Sequence, residues 1–208
     1  MMRNSGSPSR GREARWGWGL VALLSPLLFG CPTAASLRSN ITVTSLKDPY
    51  FPEPYAVTFD RCVYQTAADG DRHVLAVRAG QGEGGEIRQY LHLHLFWKPR
   101  PGKTFSDPSI NDCIAEYVIV TPQGSAAYSG TAFVYPRPLS DGRLRCPVER
   151  GNLRLETING SPTEVLGDAK LAGELIATED AGLAVELRRL VARHLSGTPG
   201  EFSPKSAP

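Results

Sequence analysis

Little in this chain is ready-made chemistry. Its 208 residues include only four cysteines and four histidines. No two cysteines form a C-x-x-C pair, which removes the usual zinc-ribbon and dithiol-redox frameworks. There is no G-x-S-x-G elbow and no complete phosphate-binding loop, so neither an α/β-hydrolase nucleophile nor a P-loop nucleotide site is encoded. No apolar run reaches the roughly 20 residues that cross a bilayer as a helix, and no internal repeat of fixed period is visible. Excess charge is missing too. The formal charge is +2, from 23 basic and 21 acidic residues. Residues 1–30 hold four arginines (Arg3, Arg10, Arg12, Arg15) against the single acid Glu13. Without them the formal charge becomes −1. The remaining basic residues are scattered, so nothing draws the domain to nucleic acid.

What is present begins with a leader. A basic stretch is followed by the uncharged residues 16–30, with Pro26 inside them. This is a secretory signal pattern, too short for a spanning helix. It ends in Leu28-Phe29-Gly30-Cys31. That tetrapeptide resembles the lipobox of bacterial lipoproteins: Leu28, Gly30 and Cys31 match, and Phe29 departs from the small residue usual there. The resemblance implies lipid attachment at Cys31, whose thiolate accepts a diacylglyceryl group. It also implies palmitate-type acylation of the new amino terminus. Several chains are needed, because one acyl chain holds only weakly at about 0.8 kcal/mol per buried methylene. Ordinary cleavage after Ala35, giving a secreted soluble protein, is the alternative route.

Residues 31–54 read as the lipidated cysteine and a Pro-rich tether, with Pro49, Pro52 and Pro54. Residues 55–197 read as a single β-rich domain, and 198–208 as a disordered tail. Strand signals run over 55–66, 72–79, 86–97, 113–121, 126–135, 143–148, 152–157 and 170–177. Turn signals separate them, and Asn159-Gly160 is the strongest hairpin signal. Helical spacing is confined to 181–195, with Leu183, Leu187, Leu190 and Val191 on one face and Gly197 as a stop. The fold class expected is mainly β: an antiparallel β-sandwich or open barrel with one C-terminal amphipathic helix. The long segment 98–112, carrying Ser106, Asp107, Ser109 and Asp112, reads as a loop.

Three cysteines remain in the domain: Cys62, Cys113 and Cys146. An oxidising compartment allows one disulfide among them, with three choices of pair; three buried thiols are the other reading. The richest polar group is His92-Leu93-His94, whose rings share one strand face about 7 Å apart. Strand H-x-H pairs of this kind hold metals in cupins and copper–zinc superoxide dismutases. Here Lys98 and Pro99 stand where a cupin places its Glu. Pairing Ala79 with Glu86 puts His73 opposite His92, so His73, His92 and His94 are weak metal candidates. The plainer reading is a solvent-facing row of Tyr90, His92, His94 and Phe96 behind a leucine core face. Gly80-Gln81-Gly82-Glu83-Gly84-Gly85 fits G-x-G-x-x-G, but a strand pattern follows it, so it reads as a hairpin loop rather than a dinucleotide site.

Together these features favour a lipid-anchored cell-envelope protein, on the inner or outer membrane of a bacterium. The domain reads as a non-enzymatic binding or scaffolding module that needs no cofactor. Its partners would be the membrane, through the anchor, and an envelope protein or glycan; no catalytic residue can be named. A metal-dependent protein built on His92 and His94, and a hydrolase using the 98–112 loop, are the competing expectations.

Overall fold

The structure is a computed structural model, and it describes residues 38–48, 50–82, 84–96, 113–163 and 165–197. Cys31, the 98–112 loop and the 198–208 tail lie outside the described residues. The chain runs through ten strands and one helix. They are β1 (Asn40–Ser45), β2 (Glu53–Thr58), β3 (Arg61–Thr66), β4 (Arg72–Gly82), β5 (Gly85–Leu95), β6 (Cys113–Thr121), β7 (Gly124–Val134), β8 (Arg137–Pro138), β9 (Leu144–Gly160), β10 (Ala169–Glu179) and α1 (Ala181–Leu195).

The strands form one large mixed sheet that curls on itself. β3 to β7 pair in sequence order as antiparallel neighbours, β7 pairs with β9, and β9 pairs with β10. β10 returns to β3 through a short parallel contact, Thr178 with Val63 and Glu179 with Tyr64. The ring is therefore closed by two residue pairs only, and the β1–β2 hairpin lies along the rest of β10. A mainly β open barrel with one C-terminal helix is what the alternation pattern predicted.

Alternation decides which side chains go inside. On β5, Ile87, Leu91, Leu93 and Leu95 face the interior with Ala115, Tyr117 and Ile119 of β6 and Val74 and Ala76 of β4. The opposite face carries Leu75, Tyr90, Val118 and Ala127, and α1 covers it with Ala184, Leu187 and Val191. Those three helical positions fall on one stripe, as a 3.6-residue period requires. Asp180 caps the helix, its carboxylate accepting from the Leu183 amide at 2.9 Å.

Several expectations are corrected. Residues 40–45, assigned to the tether, are strand β1, with Ile41 and Val43 in the core, and β2 begins at Glu53 within the tether's end; the single strand expected over 55–66 is two, β2 and β3. Any spacer after Cys31 therefore ends by residue 39. The two strands expected over 143–157 are one, β9, which pairs with β10 through its first half and with β7 through its second. Gly151 lies in the stretch where both partners overlap, paired with Leu171 on one side and Ala132 on the other; a Cβ there would lie 2.8 Å from the Leu171 Cβ. Asn159-Gly160 is not a hairpin turn. Gly160 ends β9 at a φ of +71°, paired with Gly124, where the Gln123 carbonyl would meet a Cβ at 2.4 Å. Cys62, Cys113 and Cys146 are all buried free thiols, so no disulfide forms among them.

Candidate functional site

Two polar groups stand out, one under the helix and one at the end of the barrel. The first contains the predicted histidines. The β4–β5 hairpin is tighter than expected, with Gln81 rather than Ala79 opposite Glu86. His73 thus pairs with His94 instead of His92. A slip of two residues preserves the face, whereas a slip of one would reverse it. All three rings therefore do gather on the outer face: the His73 and His94 centroids are 4.3 Å apart, those of His73 and His92 5.3 Å.

This face is not open to solvent as the plainer reading expected. His73 is 6% exposed and His92 4%. α1 lies over them, and Arg188 reaches His73 Nε2 at 3.0 Å. His73 Nδ1 is 3.0 Å from His92 Nε2, and His92 Nδ1 is 2.7 Å from Glu116 Oε2. Arginine can only donate and a carboxylate only accepts, so one direction satisfies the chain. Arg188 donates to His73, His73 donates from Nδ1 to His92, and His92 donates from Nδ1 to Glu116. Both imidazoles are then neutral, and a cation and an anion are joined through two rings. Burial, then the neighbouring His92, His94 and Arg188, push the His73 pKa down from 6.5 to about 4. His94 Nε2 donates separately to Asp71 Oδ2 at 3.0 Å.

Neither nitrogen of His73 or of His92 is left for a ligand. Among the described residues no group of three or more His, Cys, Asp and Glu side chains is placed to hold a metal ion. What this arrangement does is lock the helix to the sheet. A second lock joins His194, near the end of α1, to Ser125 of β7 at 3.1 Å. It is a serine–histidine contact separated by 69 residues, and nothing in the sequence pointed to it.

The second group lies at the mouth of the barrel. A cleft of about 720 Å³ opens between the β1–β2 turn, the tip of the β4–β5 hairpin and the segment after β9. Its walls include the apolar Ile87, Val165 and Leu166, the aromatic Phe51 and Tyr55, and four charged residues, Lys47, Asp48, Glu53 and Arg78. Gln89 also lines it. Gln89 occupies an inward position of β5, between Ile87 and Leu91, and is 5% exposed. Its carboxamide oxygen is buried with no hydrogen-bond partner. Leaving such an acceptor unmet costs about 1–3 kcal/mol. The Tyr55 hydroxyl, 3.3 Å from that of Tyr117, adds a further polar edge nearby. Barrel mouths with mixed walls and a few placed polar groups are common sites for small ligands.

Comparison with protein families, curated proteins and solved structures finds no match to this chain. The site must therefore be judged on its own chemistry. A second cleft, of about 660 Å³, lies at the other end of β1 beside Ser39. There Arg61 pairs with Asp180 at 3.2 Å and Asp60 accepts from the Ala79 amide at 2.8 Å. The other buried acceptor without a partner, Gln65 Oε1, lines neither cleft. Of these two clefts only the barrel mouth has a wall residue, Gln89, with an unmet polar atom buried behind its surface. Sequence reading missed it, although a glutamine within the inward series Ile87, Leu91, Leu93 and Leu95 was the signal.

Proposed function

We propose that this chain is a lipid-anchored protein of the bacterial cell envelope whose barrel is a non-enzymatic binding module. Leu28-Phe29-Gly30-Cys31 supports the anchor. The binding role rests on one observation: a roomy cleft at the barrel mouth whose walls join apolar, aromatic and charged side chains. A framework in which β1 to β10 are tied by paired strands suits binding, because little order need be gained when a ligand enters. The anchor would tie the start of β1, at the end of that strand away from the cleft, to the membrane through residues 32–39, which span at most about 28 Å when extended.

Fractionation and mass spectrometry test the anchor. The mature amino-terminal peptide from bacterial membranes should begin at Cys31 and carry the mass of its acyl groups. Cys31→Ser should move the protein out of the membrane fraction or leave it unprocessed. A mature chain beginning at Ser36, or a Cys31→Ser variant still in membranes at the wild-type size and amount, would remove the anchor from the proposal.

A further inference from the structure

We propose that the barrel mouth receives an extended peptide strand of a partner protein, added to the sheet between β2 and β4. This inference rests on the binding-module reading and goes beyond it by naming what is bound.

The seam of the barrel has the form of a missing strand. β10 pairs with β1 over Ala169–Glu174 and with β3 only at Thr178 and Glu179. Among the described residues β2 pairs with β1 alone, and β4 has no partner on its β3 side beyond Val77. These two edges meet at Asp60. Its amide donates to the Val77 carbonyl at 3.0 Å, and its carboxylate accepts from the Ala79 amide at 2.8 Å. From that point they part around the cleft, which Glu53 and Tyr55 line from β2 and Arg78, Gly80 and Gly82 from β4.

Alternation identifies the open backbone groups. The Phe59 amide donates to the Ser39 carbonyl at 2.9 Å, so Val57 and Tyr55 also turn their backbone groups to β1 and Ala56 turns its own to the seam. On β4, Val77 and Ala79 face Asp60, so Gln81 faces the seam as well. The registers put these two residues at one height. Ala56 lies opposite Thr42, and Thr42 opposite Ala172 of β10. Val63 lies opposite Thr178 and Arg61 opposite Val77, so Val77 stands level with Ile176. Gln81, four residues on along β4 and running against β10, stands level with Ala172 too. Ala56 and Gln81 are both exposed.

Two open strand edges at one height call for a chain that presents a donor and an acceptor to each side at the strand repeat. An extended polypeptide does so; an acyl chain or a sugar ring does not. Alternate side chains of the added strand would point into the cleft. Gly80 and Gly82 carry none there, which leaves room for a large apolar residue against Ile87, Val165 and Leu166. The residues between would point to solvent and be polar. Pro54 has no N–H to offer the seam, which keeps the paired stretch short.

The test uses the protein from Cys31 onward carrying Cys31→Ser, labelled with ¹⁵N. The probe is a pool of capped heptapeptides with serine or threonine at odd positions and valine, leucine, phenylalanine or tyrosine at even ones. The same pool with its internal amides N-methylated is the control. Hydrogen exchange of the Ala56 and Gln81 amides reports pairing, and the shifts of the Gly80 and Gly82 amides report occupancy. Both edge amides should exchange freely in the unbound protein and slow at least tenfold with the pool, and the N-methylated pool should do nothing. Ala56→Pro and Gln81→Pro each remove one seam N–H and leave the pairing to β1 and β5 intact; each should weaken binding at least tenfold. If either variant fails to fold, the methylated pool still decides. Slow exchange of both amides before any peptide is added would show the edges already covered, by another part of the chain or by a second copy, and would overturn the inference. Equal binding of the methylated pool would overturn it too. Saturable binding of dodecanoic acid or a neutral disaccharide with no peptide response would overturn the peptide and leave the binding-module reading standing; silence to all three would remove both.

Discussion

Acid should loosen the cover over the β4–β5–β6 face, and His73 should be the reason. In the unfolded chain its imidazole takes up a proton near pH 6.5; in the folded protein it does so only near pH 4. Between those values the unfolded state holds one more proton than the folded state. Stability from this group is therefore complete above pH 6.5, falls as pH drops through the window, and is fully lost below about pH 4. The whole displacement corresponds to about 3 kcal/mol. Water reaches the cluster through its edges, since the His94 and Glu116 side chains are each 25% exposed. Screening of that kind reduces the expected loss to about 1–2 kcal/mol. The groups facing His73 are Arg188 from α1, His92 and His94 from β5, Glu116 through His92, and Asp71 ahead of β4. Other carboxylates also titrate in this range, so the measurement must be a difference. Urea unfolding, followed by far-ultraviolet circular dichroism from pH 7.5 to 3.8, would compare the wild type with His73→Gln. Glutamine can accept from Arg188 and donate to His92 but cannot titrate. The wild type should lose about 1–2 kcal/mol more than the variant across the window. Parallel curves would refute the argument. So would nitrogen shifts at neutral pH placing the proton of either His73 or His92 on Nε2.

Two further substitution and labelling experiments follow from packing. Gly130→Ala would put a Cβ 1.8 Å from the Asn152 carbonyl oxygen, across a paired strand whose backbone cannot yield; the expected loss is about 3 kcal/mol or more, whereas Gly142→Ala, with open space around it but a φ of +81°, should cost only about 1 kcal/mol. Equal losses from the two, in thermal or urea melts, would show that the close approach is not what fixes the glycine. In a Cys31→Ser background, Cys62, Cys113 and Cys146 should resist a thiol reagent at pH 8 until the protein unfolds. Burial holds the Cys146 pKa up at about 12 and raises that of Cys62 as well. Rapid modification of any of the three in the folded protein would contradict the interior placement.

The strands from β4 to β7 and the helix were legible because each repeats one period long enough to be read: every second residue on β5, and Leu183, Leu187, Leu190 and Val191 on α1. β1 was hidden by its neighbourhood. Its Ile41 and Val43 alternate as a strand should, but Pro49, Pro52 and Pro54 follow so closely that the whole segment read as a tether. β9 was split because a glycine ordinarily signals a break in a strand. Gly151 instead lets Leu171 approach while the strand runs on unbroken between β10 and β7. The histidine cluster was found with its register off by two, and survived because parity, not exact register, decides the face. What no local pattern carries is the identity of surfaces brought together from afar. The periodicity of α1 says that it packs on a sheet; it does not say that Arg188 ends on His73 or His194 on Ser125, pairs separated by 115 and 69 residues.

The distribution of unmet hydrogen bonds distinguishes the two polar groups more firmly than their composition does. Four residues rich in potential ligand atoms lie under α1, and composition alone would favour them as the site. Yet each ring nitrogen of His73 and His92 already has a partner, and the chain begins at an arginine and ends at a carboxylate. A ligand entering there would have to break those bonds and lift the helix that covers them, at a cost set by the burial of Leu187 and Val191 as well. The barrel mouth is poorer in such groups, but its walls already stand apart around an open cleft, and no helix covers it. Richness in histidine is thus the mark of the helix lock, and the single glutamine in an inward leucine row is the mark of the candidate site.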